Sequence, residues 1–131
     1  MSIKVTQNAW EYSRQTGTRL LVLLALADYA NDRGISWPSQ KRLAERARTT
    51  RRTIMRHLRA LEEAGEIFSI QRSGTSSLYL VTLGFSEQEL RSSLRDVLKV
   101  SSKQIKQLTA GIIERRGYAQ AAPPLPTLPE P

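Results

Sequence analysis

Residues 39–65 read SQKRLAERARTTRRTIMRHLRALEEAG, and this stretch decides the fold. It reads as two short helices split by a tight turn. Pro38 fixes the approach, and Ser39 stands where an N-cap belongs. Leu43, Ala44 and Ala47 form the inner face of the first helix, and Arg48-Thr49 is the turn. Thr50 caps the second helix, about 51–64, which Gly65 ends. Ile54, Leu58 and Leu61 follow the i, i+4, i+7 spacing of a buried helix face. At about 100° per residue, Arg52, Arg56, Arg59 and Glu63 point the opposite way, with Met55 between the two faces.

Charge is concentrated on the same stretch. Residues 39–59 hold eight cations (Lys41, Arg42, Arg46, Arg48, Arg51, Arg52, Arg56, Arg59) and one carboxylate, Glu45. That local balance of +7 compares with +8 for the whole chain. Two short helices, the second with arginines along its outer face, form a device for placing a helix in the major groove of DNA. Clustered cations are the footprint of phosphate binding.

Working outward, residues 18–31 form a helix apolar nearly all round, which places it centrally in a core. Asn31-Asp32-Arg33-Gly34 stops it and turns the chain. Residues 1–15 read as a loosely packed lead-in anchored by Trp10; Trp37, Tyr29 and Tyr79 are expected in the core. Past Gly65, the runs 66–71 and 78–83 are strand-like and flank a polar loop, giving a β-hairpin. Ser86 with Glu89, and Ser101 with Gln104, each make a capping-box pattern. These open amphipathic helices over 86–99 and 102–116; Gly111 inside the second reads as permitting close packing. The end, AQAAPPLPTLPEP, is polyproline-like.

The fold class is therefore mainly α with a small β-hairpin: a winged helix-turn-helix followed by two C-terminal helices. Three segments follow: 1–84 as the DNA-binding domain, 85–117 as a helical dimerisation or partner-docking extension, and 118–131 as a flexible proline-rich tail. With 131 residues and 40% hydrophobic content, the chain is long and apolar enough for one core. Zero cysteines exclude disulfides and thiolate metal sites. The N-terminal MSIKVTQNAWEYSRQ has no apolar signal-peptide core, and the longest apolar run, Leu20–Ala27, is far short of a membrane span. A cytoplasmic, nucleoid-associated bacterial protein is expected, with no membrane partner.

Residues 19–83 resemble the winged helix-turn-helix domain of phage and mobile-element replication proteins and of many bacterial regulators. The matching stretches are RLLVLLALADYANDRG, WPSQKRLAERA, TTRRTIMRHLRALEEAGEI and GTSSLYLVTL, in that order. The resemblance implies DNA binding, in replication, repression or partition alike. Members of the family commonly carry glycine in the turn before the third helix, where this chain has Arg48. Ser77 stands where asparagine is usual before the second wing strand.

The candidate base-reading residues are Arg52, Arg56 and Arg59, since arginine pairs well with guanine O6 and N7. The alternative for that face is a solvated basic surface. Ser39, Lys41, Arg42, Arg48, Thr50 and Arg51 are candidates for the phosphate backbone, the helix N-termini adding their dipoles. Arg72 and Thr75 are the candidate wing contacts, against an inert hairpin tip. His57, the single histidine, flanks a buried face with no second ligand nearby and reads as structural. Glu62 and Glu63 point about 100° apart and cannot share a substrate. No phosphate-binding glycine loop and no nucleophile with a base is legible, so neither an enzyme nor a cofactor or metal is expected.

The partner expected is double-stranded DNA, bound by a homodimer formed through residues 86–116. The apolar stripes there have two other uses: packing back on the domain, or holding a protein partner, for which the proline-rich tail is a second candidate site. The alternative function is a protein-interaction adaptor using the winged helix as scaffold.

Overall fold

A computed structural model describes residues 2–120. Within them the order is α1 (Ile3–Tyr12), α2 (Gly17–Tyr29), β1 (Ile35–Ser36), α3 (Gln40–Ala47), α4 (Arg51–Glu63), β2 (Ile67–Ile70), β3 (Leu78–Val81), α5 (Glu87–Val97) and α6 (Ser102–Arg116). The expected mainly helical fold with its hairpin is present. The proline-rich stretch expected at 118–131 lies, from residue 121 on, outside the described residues.

The hairpin gains a third strand that the sequence did not announce. The sheet order is β1-β3-β2, antiparallel throughout, with Ile35 opposite Leu80 and Ser36 opposite Tyr79. Two residues are too few for a period to be read from sequence. The register fixes the faces, because paired residues share a side and neighbours alternate. Ser36, Tyr79, Ser69 and Ile67 lie on one face. Ser36 Oγ donates to the Leu26 carbonyl at 2.9 Å, so that face looks toward α2. Ile35, Leu80, Phe68, Ile70 and Leu78 lie on the other face. There Phe68 and Ile70 share a groove with Leu98 and Leu108, and Leu78 lies beside Val97. The sheet is thus the middle layer between α2–α4 and α5–α6.

All three layers share one core. Leu23 and Leu26 of α2, Leu43, Ile54 and Leu61 of α3 and α4, and Leu90, Leu94, Ile105 and Ile112 of α5 and α6 are fully buried in the same cluster. The stripes of α5 and α6 therefore pack back on the domain. Burying a leucine or isoleucine fully stabilises by about 1.5–3 kcal/mol, so the second cover contributes as a true core layer.

Two aromatic expectations are corrected. Residues 3–12 are helical rather than loose: Ser2 caps α1, its hydroxyl accepting the Val5 N–H at 3.2 Å. The anchors are Val5 and Ala9, both fully buried, because a slim i, i+4 pair lets α1 lie close on α2. Trp10 is 62% exposed, and Trp37, also expected in the core, is 53% exposed. Tyr79 is buried as expected, while Tyr29 is half-buried.

Charged groups tie the layers together. Glu66 is buried, and its carboxylate accepts from Ser13 Oγ at 2.6 Å, the Arg14 N–H at 3.2 Å and Gln15 Nε2 at 3.0 Å. It thereby pins the α1–α2 connection beneath the hairpin. Arg116, also buried, donates to the carbonyls of Thr82 and Phe85 and, at 3.0 Å, to that of Tyr118. Its guanidinium also lies 4.0 Å from the Tyr118 ring centre. Burial pulls its pKa below the ordinary arginine value, with three carbonyl acceptors holding the charge. Gly65, at the end of α4, sits against this junction: a Cβ there would meet the Arg116 nitrogen at 2.5 Å.

Candidate nucleic-acid interface

Two helix N-termini and a hairpin tip converge on one side of the molecule. Ser39 caps α3, its hydroxyl accepting the Arg42 N–H at 3.1 Å. Thr50 caps α4 in the same way, accepting the Thr53 N–H at 3.2 Å. Both caps stand where the sequence placed them. Each hydroxyl is engaged with its own helix, so the free donors of these ends are the other first-turn N–H groups. Neither first turn carries an acid, which leaves both positive helix ends uncompensated.

The turn between the helices has the left-handed geometry expected from its usual glycine. Arg48 sits at φ 57°, ψ 49°, and is the non-glycine residue with positive φ among the described residues. Its N–H and that of Thr49 close back on α3, the latter donating to the Ala44 carbonyl at 3.0 Å. Across the turn, Arg51 Nε donates to Gln40 Oε1 at 2.9 Å, which joins the first turns of α3 and α4.

The outward face of α4 is a row of unneutralised cations. Arg52, Arg56 and Arg59 are exposed, and among the described residues no carboxylate pairs with them. The same is true of Lys41, Arg42 and Arg48. The ion pairs formed lie elsewhere: Lys4 with Glu89 at 3.4 Å, Arg33 with Asp96 at 2.8 Å, Arg46 with Asp28 at 3.1 Å, and Arg91 with Glu87. Arg46, counted with the basic stretch in the sequence, is thus paired and stacks over Tyr29 at 5.1 Å.

A cleft of about 370 Å³ separates the hairpin from the helix ends. Ser39, Lys41, Arg51 and Thr75 line it, so it gathers four residues that the sequence assigned to backbone and wing contacts. Tyr79 lines it too, and burial raises its phenol pKa, which keeps the hydroxyl protonated. Arg72 lies on the hairpin's other flank, in a separate cleft with Trp37 and Leu78; its Nε donates to the Ser76 carbonyl at 2.8 Å. The two wing candidates therefore face opposite sides.

Several participants were missed by sequence reading. Met55 is 50% exposed amid the arginines of α4, an apolar group suited to a thymine methyl. Gln40 was passed over because it carries no charge; it holds Arg51 and lines the cleft. Glu62 accepts the Ser69 N–H at 3.1 Å and fixes β2 to α4. His57 is half-buried, and its Nδ1 accepts from Arg19 Nε at 3.3 Å. Burial first, then the charges of Arg19 and Arg56, lower its pKa, so it packs neutral as a structural residue.

Residues 16–67 match the family model described as a helix-turn-helix domain, about two fifths of the chain. Searches of curated proteins and of solved structures return no match. No helix among the described residues is long and apolar enough to cross a membrane.

Proposed function

We propose that this chain, whose residues 16–67 form a helix-turn-helix DNA-binding domain, is a sequence-specific binder of double-stranded DNA acting in transcriptional control or at a mobile-element replication site. One observation carries the reading. Arg52, Arg56 and Arg59 stand exposed in a row on the outward face of α4, with Lys41, Arg42 and Arg48 exposed nearby, and among the described residues no carboxylate pairs with any of them. Such a concentration of like charge repels itself, and a polyanion laid along it relieves that repulsion.

In this reading α4 lies in the major groove. Arg52, Arg56 and Arg59 address base edges, and Met55 a thymine methyl. Lys41, Arg42, Arg48 and Arg51, with the helix ends capped by Ser39 and Thr50, hold phosphates. Thr75 faces the backbone across the hairpin cleft, and Arg72 reaches past the wing. A second copy reading a paired half-site belongs to the same proposal. The surface of residues 86–116 left for it is the groove of Leu98, Val100 and Leu108 beside Phe68 and Ile70. Neither an enzymatic role nor a cofactor enters the proposal.

The test is selection of bound duplex from a random library, followed by affinity against salt. An enriched site is expected, with affinity falling steeply as salt rises. Arg56→Ala should lose about 1–3 kcal/mol on the selected site and relax one base position. Equal loss on selected and random duplex would remove Arg56 from base reading. Absence of salt-sensitive duplex binding would favour the adaptor reading, in which the basic face docks an acidic protein.

A further inference from the structure

Trp37 is the large side chain that the fold fails to explain. It follows β1 directly, on the sheet face it shares with Leu78, and is 53% exposed. An open cleft of about 400 Å³ surrounds it, lined also by Arg33, Arg72, Leu78, Asp96 and Val97. The two arginines there differ. Arg33 is neutralised by Asp96 at 2.8 Å and also donates to Ser92. Arg72 is held across its loop by one bond from Nε to the Ser76 carbonyl, and among the described residues no carboxylate pairs with it. The cleft thus offers one aromatic surface and one available cation.

Its position limits what can arrive. Pro38 and Ser39, the next residues, line the opposite cleft toward α3 and α4. Trp37 therefore stands on the far flank of the wing from the arginine face, within two residues of a helix end assigned to phosphate. An indole beside a guanidinium is the pairing that holds a single-stranded nucleotide, the base stacking on the ring and the phosphate on the cation. Intact duplex offers no free base face, and unstacking a step costs a few kcal/mol.

We infer that Trp37 and Arg72 form a binding site for an unpaired nucleotide on a single strand leaving the duplex held by α3 and α4. The protein would then recognise a junction of double and single strand rather than duplex alone. This rests on the DNA-binding reading above.

The experiment uses the full chain carrying Trp10→Phe, in which Trp37 is the single tryptophan. Its fluorescence and affinity are followed with three DNAs: the blunt selected duplex, the same duplex with a single-stranded extension at either end, and the single strand alone. The tailed duplex is expected to bind about tenfold more tightly than the blunt one and to quench Trp37, since that factor lies within the range that one stacked base supplies. Trp37→Ala, made in the unsubstituted chain, should abolish the advantage of the tail and leave blunt-duplex affinity unchanged; Arg72→Ala should reduce that advantage. Equal quenching by blunt and tailed duplex would overturn the inference by placing the indole in a groove. Duplex binding with no quenching by any tail would overturn it while leaving the DNA-binding reading intact. Absence of binding to all three DNAs would overturn both.

Discussion

Arg48 carries a backbone cost that its side chain does not offset within the fold. A left-handed backbone costs a non-glycine residue about 1–2 kcal/mol, and the side chain makes no compensating bond among the described residues. Arg48→Gly should therefore raise unfolding free energy by about 1 kcal/mol in urea denaturation. If Arg48 holds a phosphate, the same variant lowers the salt slope of duplex binding by about one unit. An unchanged slope with raised stability would make Arg48 a turn residue alone. His57 gives a pH prediction. Its folded pKa lies below the ordinary 6.5, so as pH falls the unfolded chain takes up the proton first. The stability tied to its neutral form is complete above about pH 6.5 and is lost as pH falls through the folded value. His57→Gln should flatten that part of the stability–pH curve measured by denaturation; an unaltered curve would show that other groups set it. At this scale the sequence was legible wherever a residue acts on near neighbours, as Ser39, Thr50 and Arg48 do. Glu66 and Arg116 were not, because their partners lie far along the chain.

Among the elements, α3 and α4 were the most readable, since their caps, inner faces and stop lie within their own residues. β1 and α1 were the least. A two-residue strand exists only because β3 offers it an edge, and α1 hides its anchors in one valine and one alanine beside a conspicuous but exposed tryptophan. The same bias toward large side chains misplaced Trp37. α6 holds a different lesson. Gly111 was expected to admit a close neighbour, yet a Cβ there would meet only Arg115 Nη1, at 3.9 Å. Gly111→Ala should then stabilise the protein by about 1 kcal/mol through helix propensity alone, measurable as a raised urea midpoint with unchanged slope. A destabilised variant would mean that α6 approaches a second molecule at that point.

For the whole molecule, the consequential fact is that α5 and α6 complete the core. The apolar stripes were plain in the sequence, but a stripe does not say which surface covers it; the shared core settles that for Leu90, Leu94, Ile105 and Ile112. A chain cut after residue 84 would bare Phe68 and Leu80 on that face and lose the Arg116 bonds to Thr82 and Phe85. It is expected to lack the single cooperative urea transition of the full chain. A truncated protein that unfolds cooperatively with unaltered duplex affinity would show the extension to be dispensable.

The seat of Gly65 against Arg116 has a consequence during synthesis. The end of α4 is closed by a segment made about fifty residues later. At about 5–20 residues per second, α4 waits several seconds on the ribosome before its support is made. Until then the nascent chain presents an uncovered sheet face and a cationic helix together, beside ribosomal RNA. The order of manufacture thus makes α6 the element that completes the support of α4.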